Sequence, residues 1–282
     1  MGGTSGTADA VTHVELHHGA ATDVGLVREA NEDAFLVAPP VFVVADGMGG
    51  HEGGALASGI VVEEFERLGG GSYGPEDGTK AVGETLLACQ RRLQKYAAAR
   101  SRRRRARSPG TTVVVALLVE DGGLPAWLLV NLGDSRIYRV HDGELDQVST
   151  DHSVVQELID AGEMTVEEAA VHPARHVITR AVGGPELGEP DFFLLPIAES
   201  DRVLLCTDGI TGLVDDAELA DILAGAPDPR DAADRLVAAA LDAGGDDNAT
   251  AVVVDVVGLA PHHDHDSEHQ RVSLEEKLGA LP

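Results

Sequence analysis

Lysine is nearly missing from this chain of 282 residues, with Lys80, Lys95 and Lys277 as its only examples. None stands in a Gly-Lys-Ser/Thr step, which excludes a standard phosphate-binding P-loop although glycines crowd between Gly49 and Gly54. Cysteine is equally scarce. Cys89 and Cys206 lie far apart and in no metal-ligand spacing, so a thiolate metal site and a disulfide framework are both excluded, and a reducing compartment is implied. Positive charge is short throughout: 21 Lys and Arg face 48 Asp and Glu, a formal net charge of −27. That balance argues against binding to nucleic acid or anionic membranes and for solubility and attraction of cations. The longest apolar runs, such as Val113 to Val119, fall far short of the roughly 18 residues of a membrane span. No basic segment followed by an apolar core opens the chain. The expectation is a cytoplasmic protein, monomeric, with neither a membrane nor a nucleic acid as partner.

What is present is a sizeable apolar fraction, 43%, arranged in short valine- and leucine-rich runs. Strands are expected at Val41–Ala45, Thr112–Val119, Ala126–Leu132, Arg136–Val140, Val203–Thr207 and Ala249–Val256. Helical spacing marks Ala55 to Leu68, closed by three glycines, and Ala81 to Ala99. Pro229 behind an Asp228 cap opens another helix, and Thr165 with Glu168 forms a capping box. Residues 1–13 are expected to be a flexible segment, 14–257 one mixed α and β domain, and 258–282 a disordered acidic and His-rich tail. Between Arg91 and Arg107 lie nine of the 21 basic residues, which read as a solvated helix end and loop.

Two carboxylates stand out against this pattern. Asp46 ends the apolar run in VFVVADGMGGH and Asp208 ends the one in RVLLCTDG, each followed by glycine. An ionised group at the end of a buried strand needs a cation or hydrogen bonds to replace its lost hydration. Asp-Gly is also a common turn dipeptide, and the chain holds an internal control: Asp142-Gly143 joins two segments of mixed polarity, as a hairpin does. Asp134 in VNLGDSR and Asp247 in GGDDNAT share the strand-boundary position, and Glu32 with Asp33 precedes a further β-type run. Carboxylates without cysteine or a histidine pair favour Mg²⁺ or Mn²⁺ over zinc. Two such ions can clamp a phosphoryl group, for which Arg28, four residues before Glu32, offers a bidentate partner. A covalent aspartyl-phosphate route would want a second acid two places after Asp46, where Met48 stands.

In order along the chain, TDVGLVREANEDAF, VVADGMGGH, SPGTTVVVALL, LLVNLGDSRIYRV, STDHSVVQELIDAGEM, HPARHVITRAVG, LLCTDGITGLV and GGDDNATAVVV resemble the motifs of the metal-dependent serine/threonine protein phosphatases, the PPM or type-2C family, in its bacterial branch. The resemblance covers about Val14 to Val257. It implies an α+β fold, a central sandwich of two antiparallel β-sheets flanked by helices in four αββα layers. It implies hydrolysis of phosphoserine and phosphothreonine in protein substrates by a hydroxide bridging two Mn²⁺ or Mg²⁺ ions, opposing a bacterial Ser/Thr kinase. Asp46 would bridge the two ions and the Gly47 carbonyl oxygen would help hold the second. Asp208 and Asp247 would ligate the first, Glu32 would act on the second through water, and Asp33 would support the ligands. Asp134 with Asp208 would hold a third ion, and Arg28 would bind the substrate phosphate. With Met48 where animal members carry a histidine, the general acid is unassigned; His51 is nearby. The stretch Asp151 to Gly183 matches the family's flap, in which His176 replaces a common asparagine and is expected to leave the metal site intact. His152, Ser153, Thr111 and Thr112 read as structural. A non-catalytic binding module on the same fold is disfavoured because Asp46, Asp208 and Asp247 are all present. A phosphatase of a partner-switching pathway is a further alternative, weakened by the lack of a fused sensor domain.

Overall fold

The run Val41–Ala45 is buried at every position, so both faces of the strand it forms are covered. Its residues alternate between two cores: Val41, Val43 and Ala45 pack toward helices, whereas Phe42 and Val44 pack toward a second sheet. This alternation is the period-2 geometry of a strand sandwiched on both sides. A computed structural model describes residues 12–49, 52–100, 108–197 and 201–261. In chain order the elements are β1 (Thr12–Asp23), β2 (Ala34–Ala38), β3 (Val41–Ala45), β4 (Gly47–Met48), α1 (Glu52–Phe65), α2 (Pro75–Arg100), β5 (Gly110–Thr111), β6 (Val113–Asp121), β7 (Leu124–Leu132), β8 (Arg136–His141) and β9 (Glu144–Gln147). They continue with α3 (Val154–Asp160), α4 (Val166–Ala170), β10 (Asp191–Pro196), β11 (Arg202–Cys206), α5 (Asp208–Thr211), α6 (Asp216–Gly225), α7 (Pro229–Asp242) and β12 (Ala249–Pro261).

Two five-stranded antiparallel sheets carry the fold, ordered β1-β12-β11-β8-β9 and β10-β7-β6-β3-β2. Between them lies a core containing Phe42, Val114, Trp127, Leu129, Ile137, Leu205 and Val252. Phe42 meets Trp127 edge-on with ring centroids 6.2 Å apart, a favoured aromatic geometry. Truncating Phe42 to alanine here would cost about 3–5 kcal/mol. Outside one sheet, Val61, Phe65, Leu86 and Leu93 of α1 and α2 cover β3 and β6. Outside the other, Leu219 and Leu223 of α6 and Leu236, Val237 and Ala240 of α7 cover β11 and β12. The result is the four-layer αββα sandwich that the resemblance implies.

The six strands read from the sequence are the six interior strands of the two sheets. The four edges are β1, β2, β9 and β10; β2 is the β-type run after Asp33 and β9 the far arm of the Asp142-Gly143 hairpin, whereas β1 and β10 were not anticipated. An edge strand is less covered: β2 is intermediate at every position, β10 alternates intermediate and exposed positions, and β9 is mostly exposed. Helix ends also moved: α1 begins at Glu52 rather than Ala55, and α2 runs from Pro75 rather than Ala81. The caps hold as expected, with Asp228 accepting from the Arg230 and Asp231 amides and Thr165 with Glu168 closing a capping box. No helix among the described residues is long and apolar enough to cross a membrane. His51, the arginines at 102–107, and most of the expected terminal segments lie outside the described residues.

Candidate active site

Interior strands of both sheets end their apolar runs at one end of the sandwich, and the acids that follow those runs meet there. Asp46 follows β3, Asp208 opens α5 directly after β11, Asp247 precedes β12, and Asp134 lies in the turn from β7 to β8. Burial raises the carboxyl pKa of Asp46 well above its usual range, and the negative charges of Asp33, Asp208, Asp134 and Asp247 push it further. Asp134 is lifted to about 7, by burial first and then by Asp208 and Asp151. Asp33 also rises to about 7; burial outweighs its hydrogen bonds from Thr250 and Thr207, with Asp208 and Asp247 adding to the rise. Asp247 is raised, chiefly by burial. These acids therefore sit near enough to repel one another.

The backbone around Asp46 is gripped on both sides. Its amide donates to Thr112 Oγ1 at 3.0 Å, and its carbonyl accepts from Thr111 Oγ1 at 2.8 Å and from the Thr112 amide at 2.9 Å. Thr112 Oγ1 in turn lies 2.7 Å from Ser135 Oγ, beside Asp134. Both threonines are buried, so they pack as expected, but their hydroxyls also position the strand end that carries Asp46. The packing reading was incomplete because a hydroxyl's partner 65 residues away leaves no local mark. Gly47 follows without room for a side chain: a Cβ there would lie 2.3 Å from Gly54 O and 2.4 Å from Glu32 O. Its amide donates to Glu32 O at 3.2 Å, which ties the Glu32 backbone to the same corner.

Asn248, next to Asp247 and without a role in the sequence reading, frames the opposite side. Its Oδ1 accepts from the Glu32 amide at 2.8 Å, and its Nδ2 donates to Val24 O at 2.9 Å and Ala30 O at 3.0 Å. One buried amide thus fixes the whole loop that bears Arg28, Glu32 and Asp33. Asp33 Oδ2 accepts from Thr207 Oγ1 at 2.9 Å and Thr250 Oγ1 at 2.7 Å, joining that loop to β11 and β12. Arg28 does reach the acidic cluster: its Nη2 donates to Asp247 Oδ2 at 2.5 Å.

The flap reaches the acidic corner through His176, whose Nδ1 lies 3.7 Å from Asp208 Oδ2. The Asp208 carboxylate lifts the imidazole pKa above its ordinary value. Local flap sequence could not reveal this, because the contact spans 32 residues. His152 and Ser153 are structural, as expected: His152 Nδ1 accepts from the Gly133 amide at 3.1 Å, and Ser153 caps α3.

Among the described residues, no three His, Cys, Asp or Glu side chains converge tightly enough to hold an ion as they stand. The donor set nevertheless suits a hard divalent cation. Its side-chain donors are oxygens, several acids are mutually repelled, and Asp208 Oδ1 is a buried oxygen with no hydrogen-bond partner. Arg28 pairs with Asp247, and His176 faces Asp208 at 3.7 Å.

Comparison with known proteins agrees with this architecture. The family model described as "Protein phosphatase 2C" matches residues 28–242. The serine/threonine protein phosphatase PstP of Mycobacterium tuberculosis is 37% identical over 247 residues, 86% of this chain; the chain spans only 45% of that protein's length. The serine/threonine phosphatase Stp of Listeria innocua is 32% identical over 252 residues, 85% of this chain and 96% of the relative. The crystal structure of PstP superposes with a TM-score of 0.76 at 36% identity, covering 87% of this chain and all of the other. Another solved structure, the PstP catalytic domain in complex with two manganese ions, gives a TM-score of 0.74 at 34% identity over 87% of this chain. By matched length, identity and shared sandwich, this chain belongs to the protein phosphatase 2C family.

Proposed function

We propose that this chain is a metal-dependent protein phosphatase that hydrolyses phosphoserine and phosphothreonine in protein substrates. The observation that carries the reading is the convergence of Asp46, Asp134, Asp208 and Asp247, with Arg28 among them, at one end of the sandwich. Asp46, Asp208, Asp247 and the Gly47 carbonyl would hold two ions, with Glu32 acting through water, Asp33 in support, and Asp134 with Asp208 at a third. Mn²⁺ or Mg²⁺, when bound, supplies charge against the phosphoryl oxygens and a water acidic enough to be a nucleophile near neutral pH.

The chain's own residues then have distinct tasks. Arg28 leaves Asp247 to take the substrate phosphate in a bidentate pair, so its present partner holds it at the mouth until substrate arrives. Thr111, Thr112 and Asn248 hold Asp46 and the Arg28 loop in register, which conserves the in-line geometry a phosphoryl transfer needs. Met48 offers no proton for the leaving serine or threonine oxygen. In this reading the catalytic domain of 14–257 is extended by the paired ends of β1 and β12 to Thr12 and Pro261, in a monomeric cytoplasmic enzyme opposing a Ser/Thr kinase.

Hydrolysis of an aryl phosphate and of a phosphothreonine peptide with added Mn²⁺ tests the reading. Turnover should vanish with EDTA and fall at least about a thousandfold in Asp208→Asn, the scale of lost electrostatic stabilisation. Activity that survives either treatment sinks the metal-dependent mechanism.

A further inference from the structure

The flap, Asp151 to Gly183, is rooted at both ends. At the first root Arg136 clamps Asp151, with Nε 2.9 Å from Oδ1 and Nη2 2.8 Å from Oδ2. The second root is held by a neutral side chain from α2, the buried Gln90. Its Oε1 accepts from the Gly183 amide at 2.6 Å, and its Nε2 donates to Gly184 O at 2.7 Å. Only one orientation of a side-chain amide offers the acceptor and the donor in those places. Gln94, one turn further along α2, adds a bond from its Nε2 to Pro185 O at 3.1 Å.

The backbone gripped in this way has no slack. Gly183 has φ 107°, and a Cβ there would lie 2.3 Å from Pro109 O and 2.8 Å from Gly110 Cα. The preceding residue, Val182, pairs with Thr111 in both directions, at 2.9 and 3.0 Å, and Thr111 is the residue whose hydroxyl reaches Asp46 O. Upstream on the same segment, His176 faces Asp208, and Val171 and Val177 present largely exposed apolar side chains. An aryl phosphate is little larger than the group to be cleaved, whereas a peptide entering the acidic corner must also pass the flap. The position of the second root therefore bears on the peptide more than on the phosphate.

We propose that Gln90 is a positioning residue that sets the second root of the flap and, through it, the affinity of the site for phosphorylated protein segments. Its two bonds are made to successive residues at the point where the flap rejoins the sandwich, so losing them frees the flap without removing a group from the corner itself. The inference rests on the phosphatase reading above and adds to it a residue that acts on the substrate through the flap.

Steady-state kinetics of the full chain with Mn²⁺, on a phosphothreonine peptide and on an aryl phosphate, test the assignment alongside amide hydrogen exchange. Gln90→Leu should raise KM for the peptide by about tenfold, while its kcat and both constants for the aryl phosphate change less than about twofold. A purely structural role would do otherwise, lowering kcat for both substrates together as the folded fraction falls. Gln90→Glu keeps the shape and the acceptor facing Gly183 but, when ionised, has no donor for Gly184 O, so its peptide KM should fall between the other two. It also serves should the leucine variant fail to fold. Hydrogen exchange should quicken across residues 171–184 in the variants and match the wild type in β3 and β11. An unchanged peptide KM, an equal rise for the aryl phosphate, or unaltered exchange across 171–184 overturns the proposal. If the wild type turns over neither substrate the phosphatase reading falls, and the exchange measurement decides alone whether Gln90 holds the flap.

Discussion

Asp46-Gly47 and Asp142-Gly143 are the same dipeptide with opposite surroundings. The first leaves β3, an interior strand buried at all five positions, and both backbone polar groups of Asp46 are taken by threonines from another strand. The second leads from β8 into the edge strand β9; Asp142 has φ 52° and Gly143 φ 82°, the pair of positive values that a type I′ hairpin turn requires. Asp142 keeps its side chain 90% exposed. In the turn the aspartate serves by adopting a positive φ, and at the strand end the backbone of Asp46 is held by threonines, so its carboxylate is left for chemistry. The difference was legible in the residues before each pair rather than in the pair itself.

The largest effect expected from breaking this contrast is on turnover. Asp46→Asn should lower kcat by about a thousandfold or more, as removal of a group that organises charge at a transition state does. The same variant should raise the melting temperature of the EDTA-treated protein by about 2–4 °C, because it relieves repulsion among crowded carboxylates worth about 1 kcal/mol. Calorimetry and an aryl phosphate assay read the two signs separately. A fall in both activity and metal-free stability would mean that Asp46 is structural, as an ordinary buried aspartate would be.

The glycines sharpen the comparison. Gly47→Ala places a Cβ 2.3 Å from Gly54 O and 2.4 Å from Glu32 O, so the corner must open. A shift of about 1 Å at a reacting centre costs about a hundredfold in kcat. Gly143→Ala meets nothing within 4 Å and bears only the cost of its positive φ, about 1–2 kcal/mol. Kinetics should therefore separate the two alanines even if their melting temperatures fall together.

Thr112→Val tests the grip on Asp46 with nearly the same shape. It strands the Asp46 amide and Ser135 Oγ, for an expected loss of about 1–3 kcal/mol in chemical denaturation. The accompanying fall in kcat should exceed that of Thr111→Val, which leaves the Asp46 carbonyl its bond from the Thr112 amide. Equal kcat values for the two variants would show that the hydroxyls only pack.

Legibility followed burial. β3, β6, β7, β11 and β12 announce themselves as apolar runs because they are covered on one or both faces, and the site acids are visible because they interrupt or terminate such runs. The edge strands have less covering, so His17, Glu15 and the mixed sequence of β9 gave no comparable signal. What positions the acids was less visible still. Thr112 reads as a strand former, Asn248 as a turn residue and His176 as a flap substitution, because each acts on a partner between 32 and 224 residues away. Such roles depend on register and on the path of a loop, neither of which is encoded locally.

The smallest expected effect is at the control itself. Asp142→Asn retains a residue that tolerates the left-handed region, and the carboxylate it removes faces solvent, with His141 Nε2 3.5 Å away. Stability should change by less than about 0.5 kcal/mol, as for surface substitutions that leave no buried group unpaired. Activity should stay within about twofold, since neither the hairpin nor its side chain touches the acidic corner. The isosteric change is identical to the one at Asp46, so the ratio of the two effects measures the surroundings and nothing about the dipeptide. A loss of turnover at Asp142 approaching that at Asp46 would mean that the β8–β9 hairpin takes part in substrate binding, and the division between site and turn would have to be redrawn.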